Sequence, residues 1–446
     1  MTQKSKFANW LRNSITARML IVGFLLLILL IPLEFVKSLI LERSYRQKEV
    51  THEINEKWGE EVTLLGPILK IPYKTYFKEK VYNKETEKYE EQINEIIEYA
   101  YVFPDNLEVN AQVDAEPLSR GIYESIVFSS AIEMSGNFPK IDLSKKDVNS
   151  KDILWDKAVV LLKTSNLKGI KNALAITLQD ASYDLTPKYA QHTLGTLSSE
   201  TISNLKNDAP ITFSLSTTIN GSERLAFIPI GKITNVAMQS NWHSPSFSGM
   251  FLPEGKNRII DEDGFQAQWT ISQINRPFEQ VFFDKLPNLE QYAFGTDLYI
   301  PVDEYQKSER SSKYGFMVIG ITLLVFLLIQ IVSKIYIHPF QYLMIGLALV
   351  LFYTLLLSIS EHSTFFKAYV IAGSAVLGLI TLYSRMILSG YKFPLLICTS
   401  LASLYGFIYV IIQLENYALL VGSIGLFVIL AILMFASRKI DWNNEN

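Results

Sequence analysis

Few side chains in this chain are arranged for chemistry, and the densest set is NWHSPSFSGMFLP at residues 241–253. His243 stands there among serine hydroxyls and aromatic rings, a combination that could provide a general base beside a nucleophile, or a ligand-binding loop. A Ser-His pair also needs an orienting acid, and Glu254 or Asp261 can be nominated only because they are near in sequence. The alternative, which we favour, is a packed turn whose aromatic rings fill the core edge and whose serines bond to nearby backbone.

Two candidate surfaces follow from these patterns. The candidate interaction surface consists of Trp242, His243 and Phe247, together with Trp269 from a strand-like run further along the chain. The second is a polar pair, Glu361 and His362, which ends a long uncharged run and is expected at the outer membrane surface. An enzyme acting on envelope lipid or peptidoglycan, with His243 above the polar pair, is one alternative function. A transporter of such components is another.

Other chemistry is not indicated by the sequence. The five histidines, at positions 52, 192, 243, 338 and 362, lack ligand spacing, and no nucleophile-elbow, zinc-helix or paired-cysteine motif is present. GMFLPEGKN at 249–257 resembles a phosphate-binding loop, but five residues separate its glycines where four are needed, and Asn257 replaces the required Ser or Thr. The sequence therefore predicts a non-enzymatic protein without catalytic residues, metal or cofactor. The net charge of −3 gives no basis for binding nucleic acid.

Uncharged apolar runs predict six membrane spans. The clearest lies between Pro339 and Glu361, where 21 uncharged residues, at about 1.5 Å per residue, cover the ~30 Å hydrocarbon core of a bilayer. Similar runs occur at 316–332, 365–383, 394–414 and 417–435, and a further run at 19–33 follows several basic residues. That first run ends without the small residues that signal peptidase requires, which favours a retained signal-anchor over a cleaved signal peptide.

The placement of basic residues predicts the orientation of the chain. With a cytoplasmic N-terminus, the short inner loops and tail contain most of the basic residues, and the short outer loops contain only Lys367. The inner ones are Lys334, Arg385, Lys392, Arg438 and Lys439. We therefore predict a multi-pass membrane protein with both termini in the cytoplasm and the polar domain outside it. Residues 1–41 form the tail and signal-anchor, 42–313 a periplasmic domain, 314–437 a five-helix block, and 438–446 a cytoplasmic tail.

The periplasmic domain is expected to be mainly antiparallel β-sheet with an N-terminal helical stalk. Apolar and polar residues alternate over 211–219 and 265–271, as in strands with one buried face. Asn220 and Gly221 predict a tight hairpin turn after the first of these runs. We also expect a helix over 199–206, and one continuous helix over 305–331 that joins the domain to the second span.

Several segments resemble the CreD family of cell-envelope integrity proteins of Gram-negative bacteria. They occur in family order as GPILKIPY, NWHSPSFSGMFLP, DGFQAQW, VDEYQKSERSSKYG, the HPFQYL…LSISEH span and RKIDW. The resemblance implies an inner-membrane protein with a large periplasmic domain, associated with envelope stress, colicin tolerance and the response to β-lactams. It supplies no catalytic residue. The expected partners are the lipid bilayer and an unidentified periplasmic or inner-membrane protein.

Overall fold

The computed structural model describes residues 14–83, 88–143, 146, 148–189, 194–203, 205, 209–298, 300, 304–333, 335–388, 390–414 and 417–438. The chain forms two compact units. The membrane unit comprises residues 1–49 and 302–446, and the sheet domain comprises residues 50–301. The sequence-based boundaries at 42 and 313 follow changes in polarity, whereas contacts assign the polar residues 42–49 and 304–313 to the membrane unit.

Seven helices are present in the described part of the membrane unit, and α1 continues into the sheet domain. Six of them are long and apolar enough to cross a membrane, one N-terminal and five C-terminal, which confirms the predicted number and arrangement. The helices are α1 (Ile15–Trp58), α2 (Glu304–Lys313), α3 (Gly315–Ser333), α4 (Pro339–Ser360), α5 (Phe365–Ile387), α6 (Lys392–Gln413) and α7 (Ala418–Ser437).

Helix α4 begins at a well-formed cap. The ring Nδ1 of His338 accepts a bond from the Phe340 amide at 3.2 Å, and Gln341 Oε1 accepts a reciprocal bond from the His338 amide at 2.9 Å. Pro339 occupies the first helical position, where a missing amide proton costs nothing. His338 thus has a structural role at the start of this span.

The predicted continuous helix over 305–331 is wrong at one residue. Helix α2 ends at Lys313 and α3 begins at Gly315, with Tyr314 in a turn between them. The Tyr314 amide bonds to the carbonyl of Ser311, three residues back, and the regular spacing of four resumes when Val318 bonds to Tyr314. This local tightening of the backbone separates a polar helix from an apolar one.

The sheet domain contains sixteen described strands. They are β1 (Val62–Asn83), β2 (Lys88–Val102), β3 (Asn106–Arg120), β4 (Tyr123–Phe138), β5 (Val159–Thr164), β6 (Ala175–Leu178), β7 (Ala181–Lys188), β8 (Gly195–Ser199), β9 (Ile211–Ser222), β10 (Arg224–Phe227), β11 (Ile233–Ser240), β12 (Pro245–Gly249), β13 (Arg258–Asp261), β14 (Gly264–Ser272), β15 (Val281–Phe283) and β16 (Phe294–Leu298). Fourteen follow the order β12-β16-β10-β1-β5-β8-β7-β6-β9-β4-β3-β11-β14-β13, while β2 joins β1 and β15 joins β2. All pairs are antiparallel except β1 with β10 and β3 with β11.

The alternation of apolar and polar residues in the sequence is confirmed by the burial of every second side chain in the strands. Inward residues of β9 such as Phe213 and Leu215 alternate with exposed ones, and β14 buries Phe265 and Trp269 in the same way. The core is filled with large aromatic side chains. Those that are fully buried in this domain are Tyr73, Phe103, Phe128, Phe138 and Phe294.

The predicted hairpin at Asn220-Gly221 is wrong. Strand β9 continues through both residues, which pair with Ser129 and Phe128 of β4. A Cβ at Gly221 would lie 2.5 Å from the Phe128 ring, so the glycine permits close packing and does not form a turn. The chain changes direction at Glu223, which has φ +59°, and then enters β10 between β1 and β16.

The predicted helix over 199–206 is also wrong in its described part. Ser199 ends strand β8, and residues 200–203 are not helical. The Ser199 hydroxyl accepts a bond from the Val160 amide at 2.8 Å, and the Ile202 amide bonds to the Ala158 carbonyl. These bonds hold the segment against β5. Residues 204 and 206 lie outside the described residues.

Candidate functional site

The segment of residues 241–261, here named the edge segment, connects the two ends of the strand order. Strand β12 is the terminal strand at one end and β13 at the other, and eight residues join them. Asn241 fixes the start of this segment, since its side chain accepts a bond from the Ala115 amide at 2.8 Å and donates one to the Ala115 carbonyl at 3.1 Å. The edge segment therefore links the two terminal strands of the sheet order and is anchored at its start to β3.

The predicted interaction surface is divided between the core and the exterior. Trp269 is only 2% exposed, and its indole nitrogen donates to the Phe251 carbonyl at 3.2 Å. Phe247 is half-buried, with its ring centroid 5.8 Å from that of Trp269 and 5.7 Å from that of Phe265. Trp269 is thus a core residue and cannot form part of a binding surface, which corrects that assignment. The packed-turn interpretation fits Phe247.

His243 is exposed, and its ring lies 5.3 Å from that of half-buried Trp242. Among the described residues, no side chain makes a hydrogen bond with the imidazole. Of the two acids nominated from the sequence, Asp261 instead accepts a bond from the Asp263 amide at 3.1 Å. In this structure the geometry of a Ser-His-acid triad is not assembled around His243.

Exposed apolar side chains are the feature of the edge segment that the sequence interpretation missed. Met250, Leu252, Ile259 and Ile260 are 55%, 66%, 56% and 47% exposed. The sequence did contain a signal of this exposure. Two adjacent isoleucines in a strand point to opposite faces, so one of them must face outward when the strand lies at an edge. The guanidinium of Arg258 lies 5.8 Å from the Phe247 ring and borders this patch with positive charge. Several exposed apolar side chains within one short segment are typical of protein-binding surfaces.

Glu361 belongs to a polar contact in the membrane unit. It caps α4, and its Oε1 lies 3.6 Å from the Arg43 Nε of α1 and accepts a bond from the Tyr305 hydroxyl of α2 at 3.4 Å. Its side chain is 15% exposed, compared with 45% for Arg43. The neighbouring His362 is exposed and makes no side-chain bond with a described residue. Of the predicted polar pair, Glu361 therefore connects three helices and His362 does not.

Helix α2 buries an unusual set of small polar side chains. Tyr305, Ser308, Ser311 and Ser312 are each less than 9% exposed, and they share one face at helical spacing. This face contacts α3, α4, α5 and α6, while Lys307 lies 5.9 Å from the Phe365 ring at the start of α5. Serine lets helices approach closely, so α2 is built as a packing element of the membrane unit and not as a solvated linker.

Metal ligands are not clustered in the described part of the chain. No group of three or more His, Cys, Asp or Glu side chains lies close enough there to hold a metal ion. Cys398 in α6 is half-buried, with a free thiol. The described residues therefore offer two candidate sites, the edge segment and the polar contact made by Glu361.

Comparison with known proteins identifies the family. The family model described as inner membrane protein CreD matches residues 14–443. The chain belongs to the CreD family. The inner membrane protein CreD of Escherichia coli K12 is 29% identical over 427 residues, which cover 93% of this chain and 91% of that protein. With six apolar helices, this membership makes the chain a multi-pass inner-membrane protein.

A solved structure shares less with this CreD-family chain. An M1 zinc metallopeptidase from Deinococcus radiodurans is 11% identical, with a TM-score of 0.21, and the match covers 38% of each chain. At that level the likeness carries no argument about function. Five of the six segments by which the sequence resembled the CreD family fall at β1, the edge segment, β14, α2 and α4. The sixth, RKIDW, lies outside the described residues except for Arg438.

Proposed function

We propose that this CreD-family chain is a non-catalytic binding protein of the cell envelope. Its sheet domain lies in the periplasm and binds a protein partner through the edge segment, and this binding contributes to envelope integrity and the envelope stress response, including colicin tolerance and the response to β-lactams. The observation that carries the proposal is the apolar exposure of Met250 and Leu252 in the connection between the two terminal strands, and of Ile259 and Ile260 on the terminal strand β13.

A protein is the partner that best fits this surface. Terminal strands present unpaired amide and carbonyl groups in addition to their side chains, and an extended polypeptide can satisfy both. A soluble domain that had no partner would leave these four apolar side chains in water. Burying them would contribute roughly 25 cal/mol for each Å² of apolar surface removed from water.

The proposed orientation is supported by basic residues in the loops. Arg385 lies in the last turn of α5 and Lys392 is the first residue of α6, on the side assigned to the cytoplasm, whereas the connection between α4 and α5 contains no Lys or Arg and the first one after it is Lys367. In a Cys398→Ser background, Lys168→Cys in the sheet domain should react with a membrane-impermeant maleimide in cells with a permeabilised outer membrane. Arg385→Cys should react only after the inner membrane is also opened. The reverse pattern would contradict the proposed orientation.

The partner is tested by photo-crosslinking in intact cells. A photoreactive amino acid at Leu252 or Ile259 should give a defined protein adduct, identified by mass spectrometry. The same probe at Leu167, an exposed leucine outside the edge segment, should not give that adduct. Adducts with lipid or glycan alone would contradict the proposal and support an enzyme or transporter that handles envelope components.

A functional assay accompanies the crosslinking. The double variant Leu252→Ser, Ile259→Ser should accumulate normally in the membrane but fail to restore envelope integrity to cells that lack the protein. Leu167→Ser is the matched control and should restore it. Full restoration by the double variant would mean that the edge segment is not the binding surface.

A further inference from the structure

The long hairpin of β1 and β2 extends beyond the rest of the sheet. Its outer part, residues 74–83 of β1 and 88–99 of β2, is here named the arm. Within the described residues, β5 pairs with β1 only as far as Lys70, and Tyr73 of β1 makes a single bridge with Ile153, which precedes β5. Strand β15 pairs with β2 from Ala100 to Val102, and one more backbone bond runs from the Asp284 amide to the Tyr99 carbonyl. Over the arm, each strand has the other as its only described strand partner.

The arm exposes apolar side chains on both faces. Ile71 and Tyr73 of β1 lie fully in the domain core, and the same face continues outward through Phe77, which is 43% exposed. The exposed apolar residues in the described part of the arm are Tyr76, Phe77, Val81, Tyr89, Ile93, Ile96, Ile97 and Tyr99. A two-stranded ribbon is at best marginally stable in water by itself, so an arm of this composition is expected to be extended by further strands.

The two free edges of the arm carry opposite charge. Over 74–81, β1 contains three lysines and one glutamate, whereas β2 contains three glutamates and no lysine over 91–99. Two ion pairs already cross the hairpin, from Lys74 to Glu95 at 2.9 Å and from Lys78 to Glu91 at 3.0 Å. A strand that extends the sheet beside β2 should therefore be basic and one beside β1 acidic. A second arm satisfies both requirements.

We propose that the arms of neighbouring copies of this chain pair edge to edge, with β2 of one copy beside β1 of the next. All copies of a membrane protein insert with one orientation, so neighbouring arms point the same way. Two hairpins side by side in the same direction place β2 antiparallel to the adjacent β1, which continues the antiparallel ladder already present within each arm. The contact is heterologous and repeats from copy to copy, forming a ring or an open array. The proposal does not depend on the edge segment.

Crosslinking between two differently tagged chains tests this arrangement. In a Cys398→Ser background, one chain carries Phe77→Cys on β1 and the other Asn94→Cys on β2, positions that lie opposite each other within one hairpin. When both chains are expressed together, a short bis-maleimide should link the two tags, and neither chain expressed alone should form a dimer. The proposal is overturned by monomers throughout, or by dimers from either chain alone. Thr75→Cys with Gln92→Cys repeats the test if the first pair reduces the yield of folded protein.

A charge exchange separates contacts between copies from contacts within one arm. Lys80→Glu in the β1-labelled chain should reduce the linked product about fivefold, because a favourable cross-strand charge pair becomes an unfavourable one. Adding Glu91→Lys to the β2-labelled chain should restore the product, although each arm then contains a like-charge pair of its own. Lys232→Glu, at an exposed lysine outside the arm, should have no effect. Failure of the exchange to restore the product would overturn the proposed pairing.

Discussion

Leu29 of α1 lies against Gly346 of α4 so closely that a Cβ added at Gly346 would come within 2.1 Å of Leu29 Cδ1. Leu29 is fully buried, and Leu33, one turn later, is 1% exposed and makes a similar approach to Gly315 of α3. The first span therefore packs against the C-terminal spans, with glycine providing the space for close approach. Sequence alone could not decide this point.

Gly346→Val should consequently destabilise the membrane unit. The added side chain overlaps the fully buried side chain of Leu29, which must shift to accommodate it, and overpacking of this kind costs about 1–3 kcal/mol. The measurement is the melting temperature of the full-length protein in detergent. Gly378→Val is the matched control, because no atom lies within 4 Å of a Cβ at Gly378, and the loss of glycine from a helix is common to both variants. Equal melting temperatures for the two variants would contradict the packing argument.

The contact between Arg43 and Glu361 should contribute a modest coupling energy. A double-mutant cycle with Arg43→Ala and Glu361→Ala, read from thermal unfolding of the full-length protein, is expected to give about 0.5–1 kcal/mol, since Arg43 is half exposed. Tyr305→Phe removes the second bond to the same carboxylate. His362→Ala, at the exposed neighbour, should leave the melting temperature unchanged. A coupling energy of zero would mean that solvent screens this ion pair completely.

Features with a strong local signature could be predicted from the sequence. A long run of apolar residues has few stable alternatives to a spanning helix, and all six predicted runs lie in helices that are long and apolar enough to cross a membrane. Strict alternation over 211–219 and 265–271 likewise predicted which residues of β9 and β14 are buried, because successive side chains in a strand point to opposite faces.

Features that depend on distant partners were predicted poorly. Asn220 and Gly221 have the local preference for a turn, but their pairing with β4 and the packing of Phe128 over Gly221 determine their conformation. Trp269 and Trp242 are the same residue type in similar surroundings in the sequence, yet Trp269 is in the core and Trp242 is half-buried. Residue type alone does not distinguish a core aromatic side chain from a binding one.

Two lysines on the same face of β1 should have pKa values that are shifted in opposite directions. Burial lowers the pKa of Lys70, whose ammonium lies 3.8 Å from the Tyr99 ring, because desolvation disfavours the charged form. The pKa of Lys74 is raised, first by its hydrogen bond to Glu95 and then by that carboxylate's charge. Pulsed acetylation of the intact protein between about pH 8 and pH 11, followed by peptide mass spectrometry, reports the neutral fraction of each amine.

The reactivity of Lys70 should therefore rise at lower pH than that of Lys74, when each is scaled to its own plateau. Glu95→Gln removes the charge that favours the protonated form of Lys74 and should bring the Lys74 profile down toward that of an ordinary lysine. The Lys70 profile should not move, because its shift arises from burial. Coincident profiles in the unmodified protein would contradict the difference in environment.

Variants at Trp269 and His243 distinguish a buried side chain that packs against the edge segment from an exposed side chain within it. Trp269→Ala should lower the free energy of unfolding by about 3–5 kcal/mol, because it empties a buried site that contacts Phe247 and Phe294. Trp269→Phe should cost less, since it retains an aromatic ring and loses chiefly the bond to the Phe251 carbonyl. Denaturant unfolding of the full-length protein, followed by tryptophan fluorescence, gives both values.

His243→Ala is the surface counterpart and should change the free energy of unfolding by less than about 0.5 kcal/mol. The same variant should still restore envelope integrity to cells that lack the protein, because the proposed function needs apolar contact and no general base at this position. Loss of function in a stable His243→Ala protein would instead indicate that the imidazole takes part in binding or catalysis. That result would return the enzyme alternative to consideration.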